Sequence, residues 1–274
     1  MSLTASPVKA TALQHGLPVL QPQDLAAPEF LSDLKSYDAE LFLVVAFRIL
    51  PPAVFTLPSH GTINLHASLL PKYRGAAPIN WVLLNGESET GVTTFFIEEK
   101  VDTGKILLQE AIPIPEHMVA GELAEALAEL GADLIVKTVD GIEKGELVPH
   151  SQSGIVSSAP KISKEMGCLD WSQPTRKVYN QFRGLSPVPG VYSFLQDRLY
   201  KIPMMRPDAQ SIPAETQPGQ VIHIQPGHSF AVATADGSMQ ILQIQPEGRR
   251  SMSAAEFLRG YSLALGDLFE QTLV

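Results

Sequence analysis

Three polar residues stand in a pattern that is suited to acyl transfer. Asn64 and His66 are two positions apart in the segment 63–66, whose alternation of apolar and polar residues predicts a strand. Their side chains therefore project from one face, and the turn-rich segment 67–71 follows at once. Ligands of open α/β sheets bind where strands give way to such loops. An amide, an imidazole and the later carboxylate of Asp102 supply an oxyanion stabiliser, a base and a group that orients the base.

The elements that position these residues alternate between strands and helices. Such alternation predicts an α/β fold with a mostly parallel sheet. Strands are expected at 41–46, 63–66, 91–97 and 106–114, and helices at 6–15, 28–35, 76–84 and 120–145. The run 41–46 is apolar at every position, so we expect it to be buried on both faces. Gly131 is expected to interrupt the last of these helices.

The pattern changes after the last helix of this layer. Ser, Gly and Pro residues without periodicity predict a linker at 151–168, between an α/β domain at 1–150 and a second domain at 169–274. Short strand-like segments separated by Gly and Pro turns predict a small β-barrel in the second domain. Its strands are expected at 191–195, 199–202, 219–224, 230–234 and 239–245, with helices near 174–183 and 253–259.

Composition places the chain among ordinary globular proteins. Its 274 residues are 45% hydrophobic and 18% charged. The sequence contains neither a signal-peptide pattern nor an apolar run of membrane-spanning length, so no membrane association is expected. Cys168 is the only cysteine, which excludes an intramolecular disulfide and fits a cytoplasmic protein.

The net charge of -9 argues against broad affinity for nucleic acid. The charge is uneven, because 1–168 carries 11 basic and 20 acidic residues whereas 169–274 carries 9 of each. A polyanion would therefore bind the second half more readily, helped by Arg249 and Arg250. Those two arginines can equally form a solvated turn, and Arg74 can either bind an anionic substrate group or anchor its own loop.

A longer set of residues resembles a known family. Residues 64–79 read Asn-Leu-His-Ala-Ser-Leu-Leu-Pro-Lys-Tyr-Arg-Gly-Ala-Ala-Pro-Ile, and Asp102-Thr103-Gly104 follows. This register resembles the methionyl-tRNA formyltransferases, whose pattern is Asn-x-His, Ser-Leu-Leu-Pro-x-x-Arg-Gly and a spaced Asp-x-Gly. Further matches at 161–165, 187–190 and 251–254 extend the resemblance over nearly the whole chain.

The resemblance implies a Rossmann-like domain followed by an OB-fold-like barrel. We expect the enzyme to be cytoplasmic and monomeric. It implies transfer of a formyl group from 10-formyltetrahydrofolate to the amino group of methionine on initiator Met-tRNA. It makes Asn64, His66 and Asp102 the catalytic residues. It places the folate against Val45, Ala46, Phe47, Arg48, Ile49, Leu50, Ser68, Leu69, Leu70, Pro71 and Ile97. No metal is expected, because the chemistry needs no Lewis acid and the histidines lack metal-ligand spacing.

One departure from the family pattern concerns the amino-terminal end. The family has a first βαβ unit and a basic tRNA-contacting loop before the residues that match Ser6 to Lys9. The sequence lacks that unit, and Met1-Ser2-Leu3 is interpreted as an addition rather than the natural start. The missing strand belongs in the middle of the family's sheet, so reduced stability and activity are expected of this chain alone.

Three other functions are compatible with the same residues. A related formyltransferase would modify an amino-sugar nucleotide, and a hydrolase would use water in place of the amine. A non-catalytic RNA-binding module would keep the barrel and lose the enzyme, although the intact catalytic residues argue against it. The role of His66 is also open between a base for the amine and a group that polarises the formyl oxygen.

Overall fold

The structure is a computed structural model that describes residues 5–209 and 212–271. The chain divides into two compact units, Met1–Ile63 and Asn64–Val274. Met1 to Leu3, which were interpreted as an addition, and the outermost residues of the predicted domains lie outside the described residues. The division into domains at 1–150 and 169–274 stays a prediction.

The described part of the first unit contains three helices, one complete strand and the start of a second strand. Their bounds are α1 (Pro7–Gln14), α2 (Pro28–Ser36), β1 (Phe42–Val45) and α3 (Pro52–Phe55). Each helix begins with a proline, which costs no helical hydrogen bond in the first turn. Gly16 follows α1 with a φ of 65°, a left-handed conformation that glycine adopts without strain. The helices predicted at 6–15 and 28–35 are confirmed.

The predicted burial of the strand at 41–46 is wrong. Leu43 is 48% exposed and Val45 is 53% exposed, whereas their neighbours Phe42 and Val44 are half-buried. The strand is apolar on both faces, but β1 stands at the end of its sheet and the residues on one face are exposed while those on the other are half-buried. Apolar composition alone could not reveal that difference.

The second unit begins with the rest of an α/β layer. Its elements are β2 (Thr62–His66, which spans the boundary), α4 (Pro78–Leu84), β3 (Glu89–Phe96), β4 (Ile106–Pro113) and α5 (Ala120–Glu143). The sheet has the order β1-β2-β3-β4, and β3 pairs with β4 antiparallel with a bulge between Thr94 and Phe95. The predicted α/β class is confirmed, with a sheet that contains parallel strands and one antiparallel hairpin.

Helix α5 covers one face of this sheet without a break. Its buried stripe includes Leu123, Leu127 and Leu134 at helical spacing. The predicted interruption at Gly131 is wrong, because this glycine lies inside the helix. A Cβ there would lie 2.5 Å from the Cδ2 atom of Leu65, so the glycine lets β2 and α5 pack closely. Over the described ranges, no helix has the length and apolar character needed to cross a bilayer.

Among its described residues, the carboxyl-terminal half is a curled antiparallel sheet accompanied by two α-helices. Its strands are β5 (Tyr192–Leu195), β6 (Arg198–Asp208), β7 (Val221–Gln225), β8 (Ser229–Ala233), β9 (Ser238–Pro246), β10 (Met252–Ser253) and β11 (Phe269–Glu270). The order is β11-β5-β6-β9-β8-β7, with β10 paired to β9. Helices α6 (Thr175–Leu185) and α7 (Ala254–Gly260) accompany it. The five predicted strands are confirmed, and the unpredicted β10 and β11 have only two residues each.

The segment predicted as a linker is closely attached to the second unit. Ser158 forms a parallel bridge with Arg74, and Ala159 O accepts a hydrogen bond from Ala77 N at 3.1 Å. A 3-10 turn at Glu165–Gly167 follows. The lack of periodicity therefore reflects irregular backbone that is nonetheless hydrogen-bonded to the rest of the unit.

Asp236 caps helix α6 from a distant turn, which predicts a pH-dependent contribution to stability. Its Oδ1 atom accepts hydrogen bonds from Thr175 N at 2.7 Å and from Thr175 Oγ1 at 2.9 Å. The backbone hydrogen bond is the main reason why the pKa of Asp236 is lowered in the folded protein. A lowered folded-state pKa stabilises the fold above the unfolded-state pKa, and this contribution disappears as the pH falls through the folded-state pKa.

We expect Asp236→Ala to lower the free energy of unfolding by about 1 kcal/mol at neutral pH, the usual value of a helix N-cap. The deficit should shrink in acid, where the wild-type carboxyl is itself protonated. Urea unfolding at several pH values measures this loss of free energy of unfolding. Glu247→Ala is the control, because Glu247 is an exposed carboxylate away from any helix terminus. A deficit that is the same at neutral and acid pH would contradict this origin.

Candidate active site

A buried histidine and a buried aspartate face each other in the second unit. His66 is the last residue of β2 and is 6% exposed, and Asp102 lies in the loop after β3 and is 9% exposed. The Nδ1 atom of His66 lies 3.8 Å from the Oδ2 atom of Asp102. This distance exceeds a hydrogen bond but allows strong attraction when the imidazole is protonated. The structure thus brings together two of the three predicted catalytic residues.

The backbone of the following loop fixes the orientation of the imidazole. The Nε2 atom of His66 lies 2.8 Å from the carbonyl oxygen of Tyr73. A carbonyl only accepts, so Nε2 is the protonated nitrogen and Nδ1 of the neutral ring is free to take a proton. The ring of Phe95 packs edge-on against the imidazole at 6.5 Å. The basic nitrogen of His66 is therefore the one that faces Asp102.

The carboxylate is also positioned by backbone groups. Gly75 N donates a hydrogen bond of 2.8 Å to the Oδ2 atom of Asp102, the same oxygen that faces His66. Asp102 and Tyr73 have φ values of 54° and 60°, in the left-handed region that non-glycine residues seldom adopt. Such conformations cost free energy and persist where surrounding contacts hold them. Two strained residues therefore set the geometry around one histidine.

Gly104 closes the Asp102 loop against β3, and it leaves no room for a side chain. A Cβ at this position would lie 1.7 Å from the backbone oxygen of Phe96, which cannot move without breaking the strand. We expect Gly104→Ala to lower the free energy of unfolding by about 1–3 kcal/mol, as overpacking does. Chemical denaturation measures it. Gly260→Ala is the packing control, because a Cβ at Gly260 would meet no atom within 4 Å and the backbone there is not left-handed. Equal stability of Gly104→Ala and wild type would contradict this close approach.

Strand β2 sets the direction of the Asn64 side chain, which makes no hydrogen bond to His66 or Asp102 in the described structure. It precedes His66 by two residues on β2, so its side chain projects from the same face. Asn64 is half-buried, which leaves its amide partly accessible. Its position is compatible with the predicted donor role.

The predicted folate-contacting residues of the first unit form an exposed loop after β1. Val45, Phe47 and Ile49 are 53%, 56% and 77% exposed, and Ala46 has a φ of 48°. The guanidinium of Arg48 donates to the carbonyl oxygens of residues 22 and 23 at 2.6 and 3.1 Å. It also lies 5.7 Å from the centre of the Phe47 ring. Arg48 thus anchors the loop, and three apolar side chains face solvent.

The predicted folate-contacting residues of the second unit are mostly buried. Ser68 is 0% exposed and donates its hydroxyl to Lys72 O, and Leu70 is 3% exposed. Pro71 is buried too, whereas Leu69 and Ile97 are half-buried. A cleft of about 510 Å³ is lined by Leu69 and Pro71 together with Lys72, Tyr73, Glu87, Ser88, Glu89, Thr90, Ser153 and Ile155. Ser68 and Leu70 are therefore closed off from a ligand in this structure, and Ser68 O, Leu70 N and Leu70 O are hydrogen-bonded within the protein.

Of the three arginines predicted to contact an anionic substrate, Arg74 and Arg250 pair with other side chains through their guanidinium groups, and Arg249 takes part through its backbone. Arg74 donates from Nε and Nη2 to the Oε1 atom of Gln152 at 3.2 and 2.6 Å. Arg250 forms an ion pair with Glu256. The backbone oxygen of Arg249 accepts a hydrogen bond from Gln245. The Arg74 guanidinium is therefore held by Gln152, and its predicted contact with an anionic substrate group stays a prediction. Arg250 would have to exchange the Glu256 carboxylate for a phosphate to bind tRNA.

The groups that position the side chains of His66 and Asp102 were not among the predicted site residues. Tyr73 O and Gly75 N are backbone groups, and Gln152 lies in the segment predicted as a linker. The Arg-Gly dipeptide of the family motif was the only signal near them. In the ranges 5–209 and 212–271, the His, Cys, Asp and Glu side chains form no group of three suited to a metal ion.

Family models match most of the chain. A formyl transferase model matches residues 2–139, and a model of the formyl transferase carboxyl-terminal domain matches residues 161–262. The chain is 44% identical to a methionyl-tRNA formyltransferase of Thermodesulfovibrio yellowstonii over 266 residues, or 97% of this chain and 84% of the relative. It is 42% identical to a methionyl-tRNA formyltransferase of Citrifermentans bemidjiense, over 96% of this chain and 81% of the relative.

Solved structures share the fold at lower identity. An N-formyltransferase from Helicobacter canadensis, solved with folinic acid and dTDP-3-aminofucose, aligns with a TM-score of 0.66 at 20% identity, over 85% of this chain and 81% of that chain. HypX from Aquifex aeolicus, solved with tetrahydrofolic acid, aligns with a TM-score of 0.65 at 19% identity, over 88% of this chain and 44% of that chain.

Proposed function

The chain belongs to the methionyl-tRNA formyltransferase family, and from this membership we propose that it transfers a formyl group from 10-formyltetrahydrofolate to methionine on initiator Met-tRNA. The observation that carries the proposal is the buried pair of His66 and Asp102, whose facing atoms are 3.8 Å apart. His66 lies on the strand that also carries Asn64, and Asp102 reaches it from the loop after β3. An amide, an imidazole and a carboxylate in this arrangement suit attack of an amine on a carbonyl.

The reaction forms a bond between the amine nitrogen and the formyl carbon, and it breaks the bond from that carbon to the folate nitrogen N10. Negative charge grows on the formyl oxygen during attack, and the Asn64 amide is proposed to donate to that oxygen. The amine loses a proton as the new bond forms, and His66 Nδ1 is proposed to accept it. The Asp102 carboxylate then stabilises the imidazolium until the proton passes to the departing N10.

The proposed contacts of the loops with folate and tRNA stay predictions. Val45, Ala46, Phe47, Arg48, Ile49 and Leu50 form one predicted set of folate contacts, and Ser68, Leu69, Leu70, Pro71 and Ile97 form the other. Arg249 and Arg250 are the proposed phosphate contacts in the carboxyl-terminal half. The account also takes the protein to be a cytoplasmic monomer, and light scattering of the purified chain tests the monomer directly.

The experiment is a transfer assay with 10-formyltetrahydrofolate that carries a labelled formyl group. Three reactions are compared, with initiator Met-tRNA, with an amino-sugar nucleotide and without any amine. We expect label on Met-tRNA and unlabelled tetrahydrofolate in equal amounts. Label on the sugar nucleotide would show that the acceptor is an amino-sugar nucleotide and not Met-tRNA. Release of tetrahydrofolate at the same rate without any amine would indicate a hydrolase.

A further inference from the structure

Residues 150–159 cross the loop that follows the catalytic strand, and we call this segment the strap. Ser157 O accepts from Arg74 N at 2.9 Å, and Ala159 N donates to Arg74 O at 2.7 Å. The hydroxyl of Ser157 accepts a further bond of 2.9 Å from Tyr73 N. The strap therefore pairs with the loop like an added strand, on both sides of Arg74.

Gln152 of the strap connects this loop to the Asp102 loop through one side chain. Its Oε1 atom accepts both hydrogen bonds from the Arg74 guanidinium, at 3.2 and 2.6 Å. Its Nε2 atom donates to Asp102 O and to Gly104 O, each at 2.9 Å. All four contacts lie in partly buried surroundings. A side chain at position 152 that lacks an N–H donor would therefore leave the carbonyl oxygens of Asp102 and Gly104 without a hydrogen-bond partner.

Each catalytic side chain depends on a backbone group beside these contacts. Tyr73 O orients the His66 imidazole, and Gly75 N holds the Asp102 carboxylate. Arg74 lies between these two backbone groups, and Gln152 holds Arg74 and the backbone of Asp102 together. Because Tyr73 and Asp102 both have left-handed backbones, their conformations need such external contacts.

We propose that Gln152 is a positioning residue for formyl transfer, because it sets the separation between the His66 imidazole and the Asp102 carboxylate. The expected effect of Gln152 on kcat rests on the proposed function. The structural content of the inference, the orientation of the His66 ring, can be measured without any substrate.

The decisive variant is Gln152→Glu, which keeps an acceptor for Arg74 and loses the donor to Asp102 O and Gly104 O. The matched control is Gln181→Glu. Gln181 also donates from Nε2 to two carbonyl oxygens, those of Met166 and Cys168, at 2.8 Å each, and neither belongs to a catalytic loop. Both variants therefore lose a similar pair of hydrogen bonds.

We expect Gln152→Glu to lower kcat about 10²-fold with little change in either KM, as misplacement of a catalytic group by about 1 Å does. Gln181→Glu should keep kcat within about threefold of wild type. If Gln152→Glu does not fold, Gln152→Ala is measured in its place, since it removes the same donors without adding a charge. If the wild type is active and the Gln152 and Gln181 variants have equal kcat values, the inference is overturned.

Nitrogen NMR of the His66 ring, assigned by comparison with His66→Ala, separates this inference from the proposed function. The wild-type ring should be protonated at Nε2, and its signals should shift in the Gln152 variant but not in the Gln181 variant. Unchanged His66 signals in Gln152→Glu would overturn the positioning role. A wild type that transfers no formyl group would overturn the proposed function alone, since the ring signals would still decide the role of Gln152.

Discussion

Replacing His66 with alanine is expected to lower kcat for formyl transfer by about 10²- to 10⁴-fold, the usual contribution of a positioned acid–base group. The buried imidazole donates from Nε2 to Tyr73 O, and its Nδ1 atom faces the Asp102 carboxylate at 3.8 Å. Alanine leaves no group to take the amine proton. Binding of folate and tRNA should change much less, because the proposed role of His66 lies in the transition state.

The control for this prediction is His60→Ala, since His60 is exposed and lies in a turn before β2. Steady-state kinetics with formylfolate and Met-tRNA, together with thermal unfolding, distinguishes lost chemistry from lost structure. A folded His66→Ala variant with wild-type kcat would remove His66 from the mechanism.

Replacing Asn64 with alanine is expected to lower kcat by about 10²- to 10³-fold, the usual loss when one oxyanion donor is removed. Asn64 shares the strand face of His66 and is half-buried, so a carbonyl held there would be shielded from most of the water. Asn64→Asp should be at least as slow, because a carboxylate would repel the developing negative charge.

Asn80→Ala is the matched control for the Asn64 variants. The side chain of Asn80 donates to Gly184 O at 2.7 Å, so its loss affects packing of α4 against α6 and no proposed step of catalysis. Single-turnover rates at saturating folate and Met-tRNA provide the comparison. If Asn64→Ala and Asn80→Ala reacted equally fast, the proposed oxyanion role would have no support.

Much of the fold could be predicted because the decisive signals are local. The Leu spacing of α5 and the Gly and Pro turns between the barrel strands fix their elements regardless of distant contacts. Burial depends on neighbours, and for that reason Leu43 and Val45 were wrongly expected in the core. Gly131 was misjudged for the same reason, since its role is to admit the side chain of Leu65.

The candidate site was predictable in its side chains but not in its supports. A motif reveals His66 and Asp102, but the supporting atoms are the backbone groups of Tyr73 and Gly75. Their positions depend on the left-handed conformation of Tyr73, which the sequence gives no reason to expect of a tyrosine. Gln152 was missed because an irregular segment without periodicity resembles a linker in sequence, whatever it touches in the fold.

The most direct test of the central claim is a crystal structure of this chain with a stable formyl-folate analogue bound. We expect the formyl oxygen to lie within about 3 Å of the Asn64 amide nitrogen, a normal hydrogen-bond distance. We also expect the formyl carbon beside His66, with the imidazole still between Tyr73 O and the Asp102 carboxylate. A formyl group bound beyond hydrogen-bond reach of both Asn64 and His66 would contradict the claim.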